Sequence, residues 1–289
     1  MRIIESIAET FAEYDGYVLD LWGVVHDGRN PYPGAIEALV AMKAAGKRIA
    51  FLTNAPRRAW FIGQMLQGMG ITPAMHDGIM SSGEASWLLL KSGADARFSG
   101  PAYHIGPERD LSVVEDGAAS IVPAVADARY LLNTGPDPDR GPRSVEPYRP
   151  DLEACAAAGL PMLCVNPDRA VMVAGERILC AGALADVYRE LGGDVLEIGK
   201  PDAKVYGPTL ALLGDIPTRR VVAVGDTAHT DLAGATAAGL DCLWAMTGLF
   251  AHAYGDVPGE EIARLAAAEQ AMRDATRSRH PTLLGRSAP

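Results

Sequence analysis

The chain has 289 residues, 48% of them hydrophobic and 21% charged, which suits one large or two smaller globular domains. Its net charge of −10 argues against a nucleic-acid surface and against anchoring to anionic membranes, because both need basic patches. No segment reads as a signal peptide or a membrane span, so we expect a cytoplasmic protein.

The four cysteines predict neither a zinc site nor a disulfide framework, because none forms a Cys-x-x-Cys pair and the chain is long and poor in cysteine. We expect all of them to be reduced and to pack as small hydrophobic side chains: Cys155, Cys164, Cys180 and Cys242.

The N-terminal segment predicts an amphipathic helix, since Ile3, Ile4, Ile7 and Phe11 stand near helical spacing. Short apolar segments then alternate with Ala-rich ones. Strands are predicted at 17–22, 48–54, 219–226 and 240–248, and helices at 33–48, 58–70, 230–239 and beyond about 270. This alternation is typical of an α/β fold, in which helices cover both faces of a parallel sheet.

The middle of the chain, 84–186, is richer in Pro and Gly and contains several short strand candidates. A hairpin is predicted at 171–179, with its turn at Gly175-Glu176, and a polar loop at 136–147. Because similar strand–helix segments lie on both sides, we interpret 84–186 as an inserted second α/β domain. The first domain would then consist of 1–83 and 187–289.

Polar side chains lie at the ends of four predicted strands, at 17–22, 48–54, 195–198 and 219–226. They would converge if the strands shared one sheet, since ligands bind outside the carboxyl ends of parallel strands. Carboxylates there can hold Mg²⁺, a Thr hydroxyl and a Lys ammonium can bind phosphate oxygens, and one carboxylate can attack phosphorus. A cap or a turn is the simpler explanation of most of these residues taken singly, and "GDTAHTD" is the strongest single motif. The ordered set therefore carries the argument: Asp20, Thr53 with Asn54, Lys200, and Asp226 with Asp231.

This order resembles the four motifs of the haloacid dehalogenase (HAD) superfamily, with "DLWGVV", "LTN", the Lys of "GKP" and "GDTAHTD" in sequence. The long insert and "VNPD" resemble its class IIA (NagD-like) branch, which includes phosphoglycolate and 4-nitrophenyl phosphatases. The resemblance implies a Rossmann-like core with an inserted α/β cap, and it permits a homodimer.

The resemblance also implies roles for individual residues. Asp20 would be the nucleophile, and Thr53 and Lys200 would hold the phosphate. Mg²⁺ would be bound by Asp20, by the backbone oxygen of Trp22 and by Asp226, while Asp231 would support its waters.

Four further residues are candidates for substrate binding: Asn54, Arg57, Asn166 and Asp168. Arg57 stands at a helix start, where an arginine is usually solvated, and an Asx turn explains Asn166-Pro167-Asp168 equally well. The predicted function is Mg²⁺-dependent hydrolysis of a small phosphorylated metabolite, with specificity set by the cap.

Trp22 departs from the family pattern, in which a second Asp two residues after the nucleophile protonates the leaving group. An indole cannot replace it as an acid or base. Three explanations stay open: His26 or Asp27 substitutes, the leaving group needs no proton, or the chemistry differs and acts on carbon–halogen or carbon–phosphorus bonds. A non-hydrolytic protein that binds a phosphorylated ligand is a fourth possibility.

Overall fold

The computed structural model describes residues 3–173, 176–245 and 282–284. Its strands are β1 (Ile3–Ile4), β2 (Gly16–Leu19), β3 (Arg48–Thr53), β4 (Gly78–Ser81), β5 (Pro101–Ile105), β6 (Ser120–Val122), β7 (Tyr130–Asn133), β8 (Met162–Cys164), β9 (Ala170–Val173), β10 (Glu176–Leu179), β11 (Val195–Glu197), β12 (Val221–Gly225), β13 (Asp241–Ala245) and β14 (Thr282–Leu284). Its α-helices are α1 (Ala35–Ala44), α2 (Ala59–Gly68), α3 (Ser82–Ser92), α4 (Arg149–Ala157), α5 (Ala181–Glu190), α6 (Tyr206–Ala211) and α7 (Ala233–Ala237).

The chain divides into two units. The first comprises Met1–Leu52, Gly63–Ile79 and Pro201–Pro289, and the second comprises Thr53–Ile62 and Met80–Lys200. The whole of the predicted insert, 84–186, belongs to the second unit, together with 187–200. The predicted domain limits at 83 and 186 stay a prediction.

A seven-stranded sheet has the order β1-β14-β13-β12-β2-β3-β4. The strand β2 lies between β12 and β3 and runs parallel to both, with Leu19 beside Val224 and Phe51. Every residue of β2 and β12 is buried, as expected of central strands covered on both faces. The predicted Rossmann-like α/β core is confirmed.

The second unit contains a parallel five-stranded sheet of order β11-β8-β7-β5-β6 and the antiparallel pair β9–β10. Alternate residues of β7 enter two separate cores. Tyr130 and Leu132 pack in one with Leu90 of α3, while Leu131 packs in the other with Leu152 of α4. The predicted short strands and the hairpin are confirmed, although the turn at Gly175 lies outside the described residues.

The predicted N-terminal helix is wrong. Ile3 and Ile4 form β1, which pairs with β14, and only Ile7–Thr10 is helical, as a single 3-10 turn. Ser6 starts this turn with a capping box, in which its hydroxyl accepts a hydrogen bond from Ala8 and the Glu9 carboxylate accepts from the Ser6 amide. Because this cap starts the helical turn after Ser6, within the series of apolar residues, Ile3 and Ile4 lie outside the turn and join the sheet.

Two further expectations need correction. The tail predicted as a helix contains the strand β14, while 246–281 and 285–289 lie outside the described residues. The strand β11, which precedes Lys200, is the edge of the five-stranded sheet, so the four motif-bearing strands do not share one sheet.

The cysteines follow the prediction, since all four are buried and none of the four forms a disulfide. Within the part of the chain that the structure describes, no helix has both the length and the apolar character needed to cross a bilayer.

Candidate active site

Three buried carboxylates gather at the carboxyl ends of the central strands in the first unit. Asp20 directly follows β2, Asp226 directly follows β12, and Asp231 lies in a π-helical turn before α7. Each offers one oxygen, and the three oxygens lie within 4.8 Å of one another. The three residues are at most 9% exposed. The sequence prediction that these carboxylates come together is therefore met by the geometry.

Two glycines let the backbone approach these carboxylates. Gly23 has φ +87°, and a Cβ atom there would lie 2.2 Å from Oδ2 of Asp226. A Cβ atom on Gly225 would lie 2.1 Å from Cβ of Asp231. No other residue type fits either position without moving a carboxylate.

Backbone and side-chain hydrogen bonds fix the carboxylates. The Asp20 amide donates to the Val224 carbonyl at 2.9 Å, and the Leu21 amide donates to Oδ1 of Asp20 at 2.7 Å. The Thr227 amide and hydroxyl both donate to Oδ2 of Asp231, at 3.2 and 2.9 Å. The Thr227 hydroxyl thus orients Asp231 and does not cap a helix amide, which was the competing explanation of this motif.

This donor set fits Mg²⁺. The ion prefers hard oxygen ligands and is usually held by one or two carboxylates together with waters. One oxygen of Asp231 accepts from Thr227, and each of the three carboxylates offers one oxygen to the cluster. A divalent cation would also offset the mutual repulsion of three carboxylates at this separation.

Trp22 is held by its own loop. A Cβ atom on Gly28, where φ is +94°, would lie 2.3 Å from Cζ2 of the indole, so the ring packs directly on the glycine backbone. The ring of His26 meets the indole edge-on, with 5.6 Å between centroids.

His26 and Asp27 each accept hydrogen bonds from amides of this loop, although Nε2 of His26 is buried without a hydrogen-bond partner among the described residues. Nδ1 of His26 accepts a hydrogen bond from the Gly28 amide at 2.9 Å, and burial lowers the pKa of His26 to about 4. Oδ1 of Asp27 accepts from the amides of Arg29 and Asn30, and these bonds lower the pKa of Asp27. Both side chains therefore stabilise the loop.

Asn54, in the second unit, uses its whole amide on protein groups. Its Oδ1 accepts from the Lys200 amide at 2.8 Å and from the Ser82 hydroxyl at 3.3 Å. Its Nδ2 donates to the Lys200 carbonyl at 3.1 Å and to Oδ1 of Asp168 at 2.9 Å. Because an amide has two donors and two acceptor lone pairs, no capacity is left for a substrate.

The other predicted substrate contacts in the second unit also have structural partners. The Asp168 amide donates to Oδ1 of Asn166 at 3.0 Å, which is the Asx turn that competed with a binding role. Arg57 forms an ion pair with Asp110 at 2.8 Å, and burial raises the pKa of this carboxyl. Thr53 ends β3 and is buried, and its hydroxyl accepts from the Ala55 amide at 3.3 Å.

Comparison with known proteins identifies the family. The sequence model of haloacid dehalogenase-like hydrolases matches residues 17–118, and a HAD-hydrolase-like model matches 197–268. A solved hydrolase of the haloacid dehalogenase-like family from Brucella suis is 31% identical, with a TM-score of 0.79 over 89% of this chain and 96% of that one. The chain belongs to the haloacid dehalogenase-like hydrolases.

Relatives of this hydrolase include named phosphatases. A D-glycerol 3-phosphate phosphatase from Mycobacterium tuberculosis is 28% identical over 85% of this chain, which spans 66% of that relative's length. A glycerol phosphate phosphatase from the same organism, solved in complex with magnesium, has a TM-score of 0.68 at 24% identity, covering 98% of this chain and 77% of that one. At that identity the likeness shows the fold alone.

Several residues that shape the site of this hydrolase escape prediction from the sequence. In the sequence, Gly23 and Gly28 are only two glycines of a predicted loop. The side chains that pack against them become known only from the distances in the structure. Thr227 fits a helix cap by its position in the sequence, whereas in the structure it holds Asp231. The signal that could single out Gly23 is its place three residues after a carboxylate that ends a buried strand.

Proposed function

We propose that this hydrolase is a Mg²⁺-dependent phosphatase that acts on a small phosphorylated molecule through an aspartyl phosphate on Asp20. The observation that carries the proposal is the buried cluster of Asp20, Asp226 and Asp231, whose oxygens lie within 4.8 Å of one another. The named activities of the relatives, phosphatases of glycerol phosphate among them, support the same reaction class.

The chain's own residues would act as follows. Asp20 attacks phosphorus, the bond to the leaving oxygen breaks, and water later hydrolyses the aspartyl phosphate. Thr53 and Lys200 are proposed, from the family resemblance, to hold the phosphate oxygens. Asn54, which the sequence suggested as a substrate contact, is better placed to position Lys200, because it binds the Lys200 amide and carbonyl.

Magnesium would be held by Asp20, the backbone oxygen of Trp22 and Asp226, with Asp231 supporting its waters. When bound, it would neutralise charge on the transferring phosphoryl group.

The decisive experiment is phosphate release from 4-nitrophenyl phosphate and from a panel of phosphorylated metabolites, with Mg²⁺ and with EDTA. Asp20→Asn should lose at least about 10³-fold in activity, because an amide is a poor nucleophile and a weak metal ligand. Asp215→Asn makes the same change of charge at an exposed position of the first unit and should match the wild type.

The other outcomes identify the alternatives. Equal phosphate release by Asp20→Asn and wild type would contradict the proposal. Halide release without metal would indicate carbon–halogen chemistry, and phosphonate cleavage would indicate carbon–phosphorus chemistry. Saturable binding of a phosphorylated ligand with no turnover would indicate a binding protein.

A further inference from the structure

Two residues after Asp20, the chain has an indole at the position where the family that it resembles has a proton donor. When a phosphate ester of an alcohol is cleaved, the leaving oxygen departs as a strongly basic alkoxide unless an acid protonates it. A positioned acid contributes about 10²–10⁴-fold to such a step. The Trp22 side chain cannot make this contribution, because the indole N–H donates hydrogen bonds but does not give up its proton in the working pH range.

Trp22 is a defined part of the loop and not a loosely packed replacement. Its indole lies against the bare backbone of Gly28, where a Cβ atom would come within 2.3 Å of Cζ2 and 2.5 Å of Cη2. Gly28 has φ +94°, a conformation that favours glycine. The ring of His26 also contacts the indole, edge-on. The loop is therefore shaped around this indole.

The neighbouring acid and base candidates are engaged in holding that shape. His26 is 1% exposed, and its Nδ1 accepts from the Gly28 amide. Oδ1 of Asp27 accepts from two loop amides, at 2.8 and 2.7 Å. Protonation of Nδ1 of His26 would break its hydrogen bond with the Gly28 amide, and the Asp27 side chain is held in place by its two bonds to loop amides.

We propose that this hydrolase is selective for phosphoryl groups carried on an acidic leaving oxygen, as in aryl or acyl phosphates, and that Trp22 sets this selectivity. The inference rests on the proposed phosphatase function. The P–O bond to the leaving group breaks while the Asp20 O–P bond forms, and the phenolate or carboxylate leaves with the electron pair and needs no proton. Water then attacks phosphorus, its proton passes to solvent or phosphate, and the Asp20 carboxylate is regenerated.

The test compares kcat/KM across leaving groups of graded acidity: a series of aryl phosphates, acetyl phosphate as the acyl arm, and glycerol 3-phosphate as the alkyl arm. Wild type should show a steep fall in kcat/KM as the leaving group becomes more basic, with alkyl phosphate turned over least. Comparison of the aryl phosphates with acetyl phosphate then shows which of the two classes of leaving group the enzyme accepts.

Trp22→Asp introduces an acid at the position, and Trp22→Asn is its matched control, of similar size but without an acidic proton. Trp22→Asp should flatten the dependence and exceed Trp22→Asn on glycerol 3-phosphate by about 10²-fold or more. Circular dichroism and a Mg²⁺-dependent rise in melting temperature establish that both variants fold and bind the ion.

Equal kcat/KM for aryl and alkyl phosphates in wild type would overturn the inference, and so would identical leaving-group dependence in Trp22→Asp and Trp22→Asn. These failures differ from failure of the proposed function. If the proposed phosphatase function failed, none of the aryl, acyl or alkyl phosphates would be hydrolysed in an Asp20-dependent way, whichever residue occupies position 22.

Discussion

At the scale of single residues, the candidate site depends on a glycine that has no side chain as much as on the polar side chains around it. Gly23 has no Cβ, and the Asp226 carboxylate occupies the place where one would be. Asn54, by contrast, contributes every polar atom of its amide to the surrounding protein. Both residues act on the proposed chemistry through others, because Gly23 gives room to a metal ligand and Asn54 fixes the backbone of Lys200.

Gly23→Ala should weaken Mg²⁺ binding, because the new methyl group would lie 2.2 Å from Oδ2 of Asp226. Gly34→Ala is the matched control, since Gly34 has a similar φ of +81° but a methyl group there would meet no atom within 4 Å. Both variants should lose about 1–2 kcal/mol of unfolding free energy from the left-handed backbone. Calorimetric titration with Mg²⁺ should show a loss of affinity in Gly23→Ala alone, and equal affinities in the two variants would refute the role given to Gly23.

Asn54→Ala should impair phosphate binding by releasing the backbone of Lys200. It leaves the buried amide and carbonyl of Lys200 without their side-chain partner, each at a cost of about 1–3 kcal/mol. Inhibition by inorganic phosphate measures the effect directly. Ser82→Ala, which removes only the 3.3 Å bond to Asn54, should leave the inhibition constant near that of wild type. A fall in stability of Asn54→Ala with unchanged phosphate inhibition would restrict Asn54 to a structural role.

The sequence predicted the positions of the carboxylates better than it predicted the residues that hold the site in place, and the reason is physical. Asp20 and Asp226 follow buried strands, where a carboxylate is costly unless it is paired or binds a cation, so their occurrence together in the ordered set is informative. The partners of Asn54 lie 28, 114 and 146 positions away, and no local pattern encodes which residues its amide meets.

At the scale of elements, local pattern identified strands and helices but not the sheet each strand joins. The strand β11 has the apolar residues expected before Lys200, yet it pairs with β8 and not with the strands that carry the carboxylates. The apolar spacing of Ile3, Ile4 and Ile7 likewise fits a helix, but the cap at Ser6 divides it. Strand pairing and helix capping depend on contacts with other residues, and the spacing of apolar residues does not reveal those contacts.

A buried histidine in the second unit makes its stability depend on pH. His104 of β5 lies 2.9 Å from the Thr134 hydroxyl, and burial lowers its pKa from 6.5 to about 4, against a smaller opposing effect of Asp137. Above pH 6.5 the His104 ring is mostly neutral in both the folded and the unfolded chain, so its titration takes nothing from the stability of the fold. As the pH falls from 6.5 towards 4, the unfolded chain binds a proton that the folded chain does not, so stability falls by up to about 3 kcal/mol.

His104→Gln keeps a hydrogen-bonding group for Thr134 and removes the titration. Urea unfolding at pH 8 and pH 5 should show a smaller loss of stability for the variant than for wild type between the two values. The pH 8 measurement is the control, because both side chains are neutral there. Equal losses would show that His104 does not titrate in this way.

At the scale of the whole molecule, the chain builds two units from interleaved segments. The second unit takes Thr53–Ile62 from one part of the chain and Met80–Lys200 from another. The predicted limits of 84–186 would omit β11 and much of the first turn of α3. The apolar side chains of β11 pack on the cores of the five-stranded sheet, Val195 on one and Leu196 on the other, so its removal would uncover both and leave β8 as an open edge.

A fragment of residues 80–200 should therefore be more stable than a fragment of residues 84–186. The difference should amount to several kcal/mol, because the shorter fragment loses a whole edge strand and its buried side chains. Thermal unfolding followed by circular dichroism compares the two. Equal melting temperatures would support the shorter limits, and with them the domain boundaries that the sequence suggested.

The position of β2 has a consequence for synthesis on the ribosome. Its neighbour β3 follows within a few tens of residues, but its other neighbour, β12, is made much later, and Asp15 and Arg220 beside these strands are 205 positions apart. Domains form as the chain emerges, so the segments of the second unit are all available before β12 exists. Until then β2 has one unpaired edge, which is a template for pairing with other chains. The strand that ends at the proposed nucleophile thus keeps one edge unpaired until β12 has been made, and nascent chains stalled before residue 221 should depend on chaperones.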